Sequence, residues 1–300
     1  MNKRIFQVIG AIGTIALSIL FFRHPTWPTP DKIVFFLTFV FMCFSQALEM
    51  LKRLLPFVIM LAVYESFRGI ADKLNSHVNF TFMPRFDKWL FGSLPTSTLQ
   101  RWWWHGHVQW YDMVFYIVYM LHFILPISLV LLVWKYREKF YWRVVSTYVV
   151  LSFAGFLTYM LFPAAPPWMA SDRHIIQPVT HISFFVFKSL GIQDFPSIYD
   201  KINPNPVAAV PSLHAAYAVL FCMFIYKFFG KKWGTISLVY PALIIVGTIY
   251  TAEHYAIDAI LGIMYAIGAY YLTIWLFDHV WPKVKQHPSK TKVLSLVKKI

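Results

Sequence analysis

Long apolar segments restrict how this chain can fold more than any other feature. A helix needs about 20 mainly apolar residues to cross a bilayer. Eight segments of roughly that length occur, at about residues 5–22, 33–48, 53–68, 110–134, 142–163, 211–229, 233–251 and 256–281. Only 13% of the residues are charged, whereas soluble domains have about 25%. The sequence therefore predicts an all-α, polytopic membrane bundle of about eight spans and excludes a soluble protein.

The spacing of the spans divides the chain into three parts. Residues 1–52 hold the N-terminal spans, residues 53–281 form one membrane-embedded domain, and residues 282–300 form a basic tail. Two long polar loops, at about 69–109 and 164–210, interrupt the domain. In the first loop, Pro84 to Gly92 and Leu99 to His107 predict short helices along the membrane interface, anchored by tryptophans. In the second, the prolines of Pro163 to Trp168 predict a rigid turn that ends the fifth span.

Basic residues are distributed unevenly among the predicted loops. The net charge is +14, and most Lys and Arg residues lie near the N-terminus, in the loops at 135–143 and 227–232, and in the tail. The positive-inside rule makes these segments cytoplasmic, so both termini are inside a multi-pass cell-membrane protein and the long polar loops are outside. The tail lysines are expected to attract anionic lipid. They lack interleaved aromatic residues, so no nucleic-acid partner is predicted.

Two short motifs near the C-terminal end place histidines at the edges of apolar segments, on the predicted outer side. The first is Pro211-Ser212-Leu213-His214. Pro211 suits the first turn of a helix, which would put Ser212 and His214 at the helix N-terminus. Free amide groups and the helix dipole make such an end a site for anions. The motif therefore predicts a phosphate site, with Ser212 as a donor and His214 as a proton carrier.

The second motif is His254-Tyr255-Ala256-Ile257-Asp258. Residues four apart share one face of a helix, so a carboxylate could orient the imidazole and fix its tautomer. A histidine held in this way can attack phosphorus and form a covalent intermediate. The two motifs together predict a nucleophile, its orienting carboxylate and an acid at one site.

Both motifs resemble signature motifs of the phosphatidic-acid-phosphatase type 2 superfamily of membrane lipid phosphatases and phosphotransferases. The resemblance implies a six-helix catalytic core in which His254 attacks phosphorus, Asp258 supports it and His214 protonates the leaving group. Further segments are similar to the inositol phosphorylceramide synthase branch and its bacterial relatives: Tyr64 to Gly69, Phe86 to Gly92, Leu99-Gln100 and Phe162 to Trp168. The resemblance covers roughly residues 60–275.

The chain departs from the superfamily at its basic phosphate ligands. The first motif, a Lys followed by Arg-Pro, is missing, and Thr248 stands where the third motif usually has an Arg. Arg68, with Glu65 one turn earlier to hold its guanidinium, is the first candidate replacement, and Arg173 is the second. The synthase branch shares these departures.

Two further residues are candidates for a supporting role. Trp168 follows the proline-rich turn that ends the fifth span. His122 lies near mid-bilayer, where an ionisable group usually faces the bundle interior. It is expected either to make a structural hydrogen bond or to serve the site.

These residues predict a metal-independent lipid phosphotransferase that moves a phosphoryl or phospho-headgroup unit from a membrane phospholipid to a hydroxyl acceptor. No cofactor is predicted, and no metal site, since no Cys or carboxylate completes a ligand set with His105 and His107. Three alternatives remain. Water as the acceptor would make the protein a lipid phosphate phosphatase of the phosphatidate or polyprenyl-phosphate type. A transporter or lipid-flipping protein would move its substrate without bond cleavage, and a catalytically inactive protein would only bind it.

Overall fold

The computed structural model describes residues 3–26, 29–70, 74–191 and 205–280, so the predicted tail at 282–300 lies outside it. The helices are α1 (Lys3–Arg23), α2 (Pro30–Cys43), α3 (Ala47–Arg68), α4 (Phe82–Phe91), α5 (Pro95–Trp103), α6 (Trp110–Arg137), α7 (Tyr141–Leu161), α8 (Pro167–Asp172), α9 (Ile182–Ser189), α10 (Leu213–Phe229), α11 (Lys231–Ser237), α12 (Val239–Tyr250) and α13 (Ala256–Trp275). Within these ranges the backbone forms no strand, only isolated bridges from Ala164 to Asn79 and Ala208.

Among the described residues, four helical stretches are long and apolar enough to cross a membrane: Lys3–Arg23, Trp110–Leu161, Lys231–Tyr250 and Ala256–Val280. The second of these is a hairpin of α6 and α7, because His122 and Tyr159 line one cavity although a straight helix would hold them about 55 Å apart. The all-α fold, with several apolar helices suited to membrane spans, is thus confirmed. The count of eight stays a prediction, since α2 has 14 residues and α10 has 17.

The break between the second and third predicted spans was placed wrongly. The sequence suggested a break at Glu49 to Lys52, but α3 continues through these residues from Ala47. The chain turns instead at Ser45, whose φ of 57° is left-handed and cannot continue a right-handed helix. Charged side chains do not end a helix, and the predicted domain boundary at 52–53 therefore falls inside α3.

The two helices that follow the histidine motifs cross closely. A Cβ atom on Gly262 of α13 would lie 2.3 Å from the carbonyl oxygen of Ser212. Only glycine allows this approach. Ser212 N–H also donates to the carbonyl oxygen of Asp258 at 2.9 Å. The start of α10 is thereby fixed against the start of α13, and the two motifs come together.

Residues of the predicted cytoplasmic loops meet at one end of the bundle. Arg53 pairs with Glu138 at 2.6 Å, and Arg143 with Asp278 at 2.5 Å. Each pair is partly exposed and contributes little to stability. The starts of α10 and α13, which carry the histidine motifs, lie at the other end, because these helices run the length of the bundle. This separation of charge from site agrees with the predicted topology, which remains a prediction as to side.

Candidate active site

Ser212 is the N-cap of α10. Its Oγ accepts a hydrogen bond from the backbone N–H of Ala215 at 3.3 Å, and this places His214 in the first helical turn. The expectation that Pro211 opens the helix is wrong, since Pro211 precedes the cap. The Ser212 side chain is fully buried and lies outside the cavity described below. The structure therefore places Ser212 as a helix cap, and its role as a phosphate donor stays a prediction.

His254 lies in the turn before α13, not on the helix as predicted. Asp258 is in the first turn of α13, where its Oδ2 accepts the backbone N–H of Tyr255 at 2.8 Å. The same Oδ2 lies 3.4 Å from Nδ1 of His254. His254 and Asp258 are thus brought together because the Asp258 carboxylate caps the start of α13. The sequence alone predicts that they meet because both lie on one face of a helix. The carbonyl oxygen of Thr248 holds the turn by accepting the N–H groups of Glu253 and His254 at 2.9 and 3.1 Å.

The two motif histidines are in direct contact. Nδ1 of His214 lies 3.1 Å from Nε2 of His254. Since Nδ1 of His254 faces Asp258, its Nε2 is the nitrogen left to face a substrate. Tyr119 stacks on the His214 ring with centroids 4.4 Å apart and an interplanar angle of 24°. The aromatic contact limits the orientations open to His214.

A cavity of about 660 Å³ opens beside His214 and His254. Its apolar part is formed by α3 and α6, with Val58, Leu61, Phe123, Pro126 and Ile127. Its polar part is formed by α8 and the loops near His254, with Trp168, His181, Asn205 and Glu253. A site with one apolar part and one polar part suits a lipid, whose chains and headgroup need different surroundings.

The two supporting candidates both line this cavity. The Trp168 ring stacks on His181, with centroids 4.8 Å apart and planes 6° from parallel. The His122 ring lies 4.4 Å from His214 and 4.8 Å from Tyr217. Among the residues that the structure describes, Nδ1 of His122 has no hydrogen-bond partner. His122 therefore packs directly against His214.

Sequence reasoning missed Asp87, a fully buried carboxylate on α4. Its two oxygens accept the backbone N–H groups of Ala256 at 2.8 Å and Ile257 at 3.0 Å. These N–H groups have no partner within their own helix, because they belong to the first turn of α13. That helix begins two residues after His254. Asp87 and Asp258 together fix the end of the helix that presents the nucleophile candidate. The acidic residue of the mainly apolar Phe86 to Gly92 segment was the available signal.

Ionisation of Asp87 should make the fold less stable as the pH rises. Burial raises the pKa of Asp87 to about 6, against the opposing effect of the two N–H groups. The folded protein then keeps a proton that an unfolded carboxyl loses near pH 3.9, so the free energy of unfolding decreases between about pH 4 and 6. Thermal unfolding in detergent should show wild type losing about 2 kcal/mol relative to Asp87→Asn over this range. A pH-independent difference would contradict the raised pKa.

Comparison with known proteins places this geometry in a family. The sequence profile of the PAP2 superfamily matches residues 82–272, which include both histidine motifs. The chain belongs to the PAP2 superfamily. This confirms the superfamily resemblance that the two motifs suggested.

Two relatives of this PAP2 protein carry names that match the suspected branch. The phosphoinositol dihydroceramide synthase of Bacteroides thetaiotaomicron is 32% identical over 239 residues, which cover 75% of each chain. The inositol phosphorylceramide synthase of Candida albicans is 24% identical over 273 residues, covering 86% of this chain and 56% of its own length. No solved structure matches. The chain is therefore similar to enzymes of sphingolipid synthesis.

The basic residue of this PAP2 site is Arg68. Its Nε donates to Oε2 of Glu65 at 2.7 Å, and both side chains line the cavity with the histidines. Along the described part of the wall, Arg68 is the one Arg or Lys. Arg173 is not part of this wall, and its guanidinium lies 4.6 Å from the centre of the Phe80 ring. Thr248 is buried, and its hydroxyl donates to the carbonyl oxygen of Ile244. Within the described ranges, no three His, Cys, Asp or Glu side chains form a metal-binding group.

Proposed function

We propose that this protein is a membrane lipid phosphotransferase that carries a phospho-headgroup from a phospholipid to a hydroxyl acceptor through a phosphohistidine at His254. One observation carries the proposal. Nε2 of His254 faces His214 while its Nδ1 faces Asp258, on the wall of a cavity that has both an apolar and a polar part. The arrangement supplies a nucleophile, its orienting carboxylate and an acid.

In the first step, Nε2 of His254 attacks the phosphorus of the donor lipid. A nitrogen–phosphorus bond forms, and the bond from phosphorus to the glycerol oxygen breaks. His214, in its protonated form, gives its Nδ1 proton to that oxygen, so a neutral diacylglycerol leaves. Asp258 holds the Nδ1 proton of His254 and stabilises the charge that develops on the ring. Since phosphorus must enter between the two rings, donor binding separates the 3.1 Å contact.

In the second step, the neutral His214 takes the proton of the acceptor hydroxyl as general base. The acceptor oxygen attacks phosphorus, the nitrogen–phosphorus bond breaks, and Nε2 of His254 regains its lone pair. The product is a new phosphodiester, and His214 is again protonated. Histidine and Arg68 supply the proton transfer and charge stabilisation of both steps, so we propose that no metal takes part.

The charge of the site favours headgroup transfer over phosphatase activity. A phosphodiester carries one negative charge, whereas a terminal phosphate carries about 1.5 to 2 at pH 7. Arg68, the cation of the described cavity wall, already pairs with Glu65, and Glu253 next to His254 would oppose the additional charge of a monoester. The names of the relatives agree with this reading. We therefore propose a phosphoinositol lipid as the donor and a dihydroceramide-type hydroxyl as the acceptor.

We further propose that the site faces the outer side of the cell membrane, with both termini inside. The distribution of Lys and Arg supports this topology, and so does the separation of the Arg53 and Arg143 ion pairs from the site. Anionic lipid at the inner surface is the expected partner of the basic tail.

A headgroup-transfer assay tests the proposal. Purified protein in mixed micelles receives a donor lipid with a labelled inositol headgroup, a dihydroceramide acceptor and a chelator. We expect labelled phosphoinositol on the acceptor, with inhibition by orthovanadate, which mimics pentacoordinate phosphorus. Release of inositol phosphate to water alone would contradict transfer, and release of inorganic phosphate from phosphatidate in a parallel assay would identify a lipid phosphate phosphatase instead. Movement of intact lipid across vesicles, surviving His254→Ala, would identify a transporter, and absence of any turnover would contradict enzymatic function.

Replacing Arg68 separates charge from geometry at the phosphate site. Arg68→Gln should lower kcat/KM about 100-fold, because a guanidinium–phosphate interaction is both charged and bidentate. Arg68→Lys should recover part of the loss, since it restores the charge without the fork. Steady-state headgroup transfer measures both. Arg173→Gln is the matched control and should stay near wild type, because Arg173 lies outside the cavity. Equal losses for Arg68→Gln and Arg173→Gln would remove Arg68 from the phosphate site.

A further inference from the structure

The proposed mechanism leaves part of the cavity without a role. This part, formed by Trp168, His181, Asn205 and Glu253, is called the polar wall here. It adjoins the nucleophile candidate directly, because Glu253 precedes His254 in the chain. Its residues come from three separate segments that fold together at this point. A ligand group bound there would therefore be attached to the reacting phosphorus or lie next to it.

The two carboxylate oxygens of Glu253 differ in their hydrogen bonds within the protein. Oε1 accepts a hydrogen bond from Nε2 of His181 at 2.9 Å and another from the hydroxyl of Ser183. Oε2 accepts no hydrogen bond from the described residues. Burial by itself would raise the pKa of Glu253, but the hydrogen bonds and charge of His181 and the bond from Ser183 lower it below the usual value. The cavity thus contains an ionised carboxylate whose orientation is fixed and whose second oxygen can accept hydrogen bonds.

Asn205 supplies a donor in the same wall. Its side-chain oxygen accepts the backbone N–H of Val207 at 2.9 Å, and the residue is 5% exposed. Its Nδ2 is buried and has no hydrogen-bond partner among the described residues. A buried donor left unpaired destabilises the fold. A ligand oxygen would satisfy it.

The chemistry of the wall selects among headgroups. A terminal phosphate would be repelled by the Glu253 carboxylate. An ammonium group could meet the carboxylate and the Trp168 ring, but it has no lone pair for the amide of Asn205. A hydroxyl group can donate to Oε2 of Glu253 and accept from Nδ2 of Asn205. Several hydroxyls on one rigid ring would satisfy both at once.

We infer that the polar wall is the binding site for the polyhydroxyl headgroup of the donor lipid and sets the headgroup specificity. This inference rests on the proposed function. Glu253 and Asn205 hold the ring hydroxyls, and His181 fixes the Glu253 carboxylate. Trp168, stacked on His181, fixes that histidine in turn. Headgroup binding at this wall would place the phosphorus next to Nε2 of His254.

Donor preference tests the inference more directly than total activity. Purified full-length protein in mixed micelles is given phosphatidylinositol or phosphatidylethanolamine with the same acyl chains and a dihydroceramide acceptor. The ratio of the two kcat/KM values is measured for wild type, Glu253→Gln and Asn205→Ala. We expect wild type to prefer phosphatidylinositol. Glu253→Gln should lower the ratio about tenfold or more through a higher KM, since a charged hydrogen bond is lost. Asn205→Ala should lower it several-fold.

Glu138→Gln is the control for a carboxylate change away from the site, since Glu138 pairs with Arg53 at the other end of the bundle. Its ratio should equal that of wild type. If Glu253→Gln does not fold, the ratio for Asn205→Ala decides. A ratio unchanged in the folded variants overturns the headgroup site while the transferase function stands. Failure of wild type to transfer from either donor overturns the proposed function, and the headgroup site with it.

Discussion

Replacing His254 with alanine should reduce headgroup transfer by at least about 10⁴-fold. Without Nε2 there is no nucleophile for the first displacement, and removing a covalent nucleophile is among the largest single losses that an enzyme shows. KM for the donor should change little, because the charge and headgroup contacts of Arg68 and the polar wall remain. Single-turnover transfer with a labelled donor lipid measures the remaining rate.

The variant must be shown to fold. His254 is buried, so thermal unfolding in detergent accompanies the assay. His105→Ala is the matched control, because His105 lies in an exposed loop and should retain wild-type activity. Transfer by folded His254→Ala within tenfold of wild type would remove His254 from the chemistry.

Asp258→Asn should lower kcat about 10³-fold while preserving the shape of the site. The carboxylate Oδ2 lies 3.4 Å from Nδ1 of His254 and favours the tautomer that leaves Nε2 unprotonated. An amide can present its N–H₂ group to Nδ1 and stabilise the wrong tautomer. In the serine-protease triad, the same type of change costs about 10⁴-fold in kcat with the geometry intact. Pre-steady-state measurement of diacylglycerol release reports the step that is affected.

Asp112 offers a control for the capping role of Asp258. It is equally buried and accepts the backbone N–H of Gln109 at 2.8 Å at the start of α6. Asp112→Asn should therefore lower stability by about 1 kcal/mol, as loss of a cap does, with less than a tenfold change in kcat. Equal losses of kcat in both variants would mean that Asp258 acts only as a helix cap.

The helices were largely predictable because the signal for a membrane span is local. A span is a run of apolar residues in sequence, so α1, α6, α7 and α13 were recognisable with small errors at their ends. The break at Ser45 was not, because it depends on a left-handed backbone that no residue pattern specifies there. The charged residues before Arg53 gave a misleading signal for the end of α2.

The candidate site was predictable where its residues carry a motif, and the structure brings His214, His254, Asp258 and Arg68 to one cavity or its edge. Asp87 was missed because its contact to Ala256 joins residues 169 positions apart, and no periodicity encodes such a contact.

Glu253 and His181 were missed for the same reason, since they meet across 72 positions. Ser212 was assigned to phosphate from its place at a predicted helix end, and Arg173 as a replacement for missing basic ligands. In the structure the Ser212 side chain caps a helix and the Arg173 guanidinium lies over an aromatic ring, and their phosphate roles stay predictions.

The central claim is the covalent intermediate, and trapping it is the most direct measurement. Wild-type protein is mixed with a donor lipid carrying a labelled headgroup, without acceptor, and quenched within milliseconds at alkaline pH, where phosphohistidine survives. Peptide mass spectrometry should then find the labelled phospho-headgroup on His254, and a chase with acceptor should remove it at the rate of transfer. Transfer at the full rate with no label on His254 would contradict the account and indicate direct displacement by the acceptor.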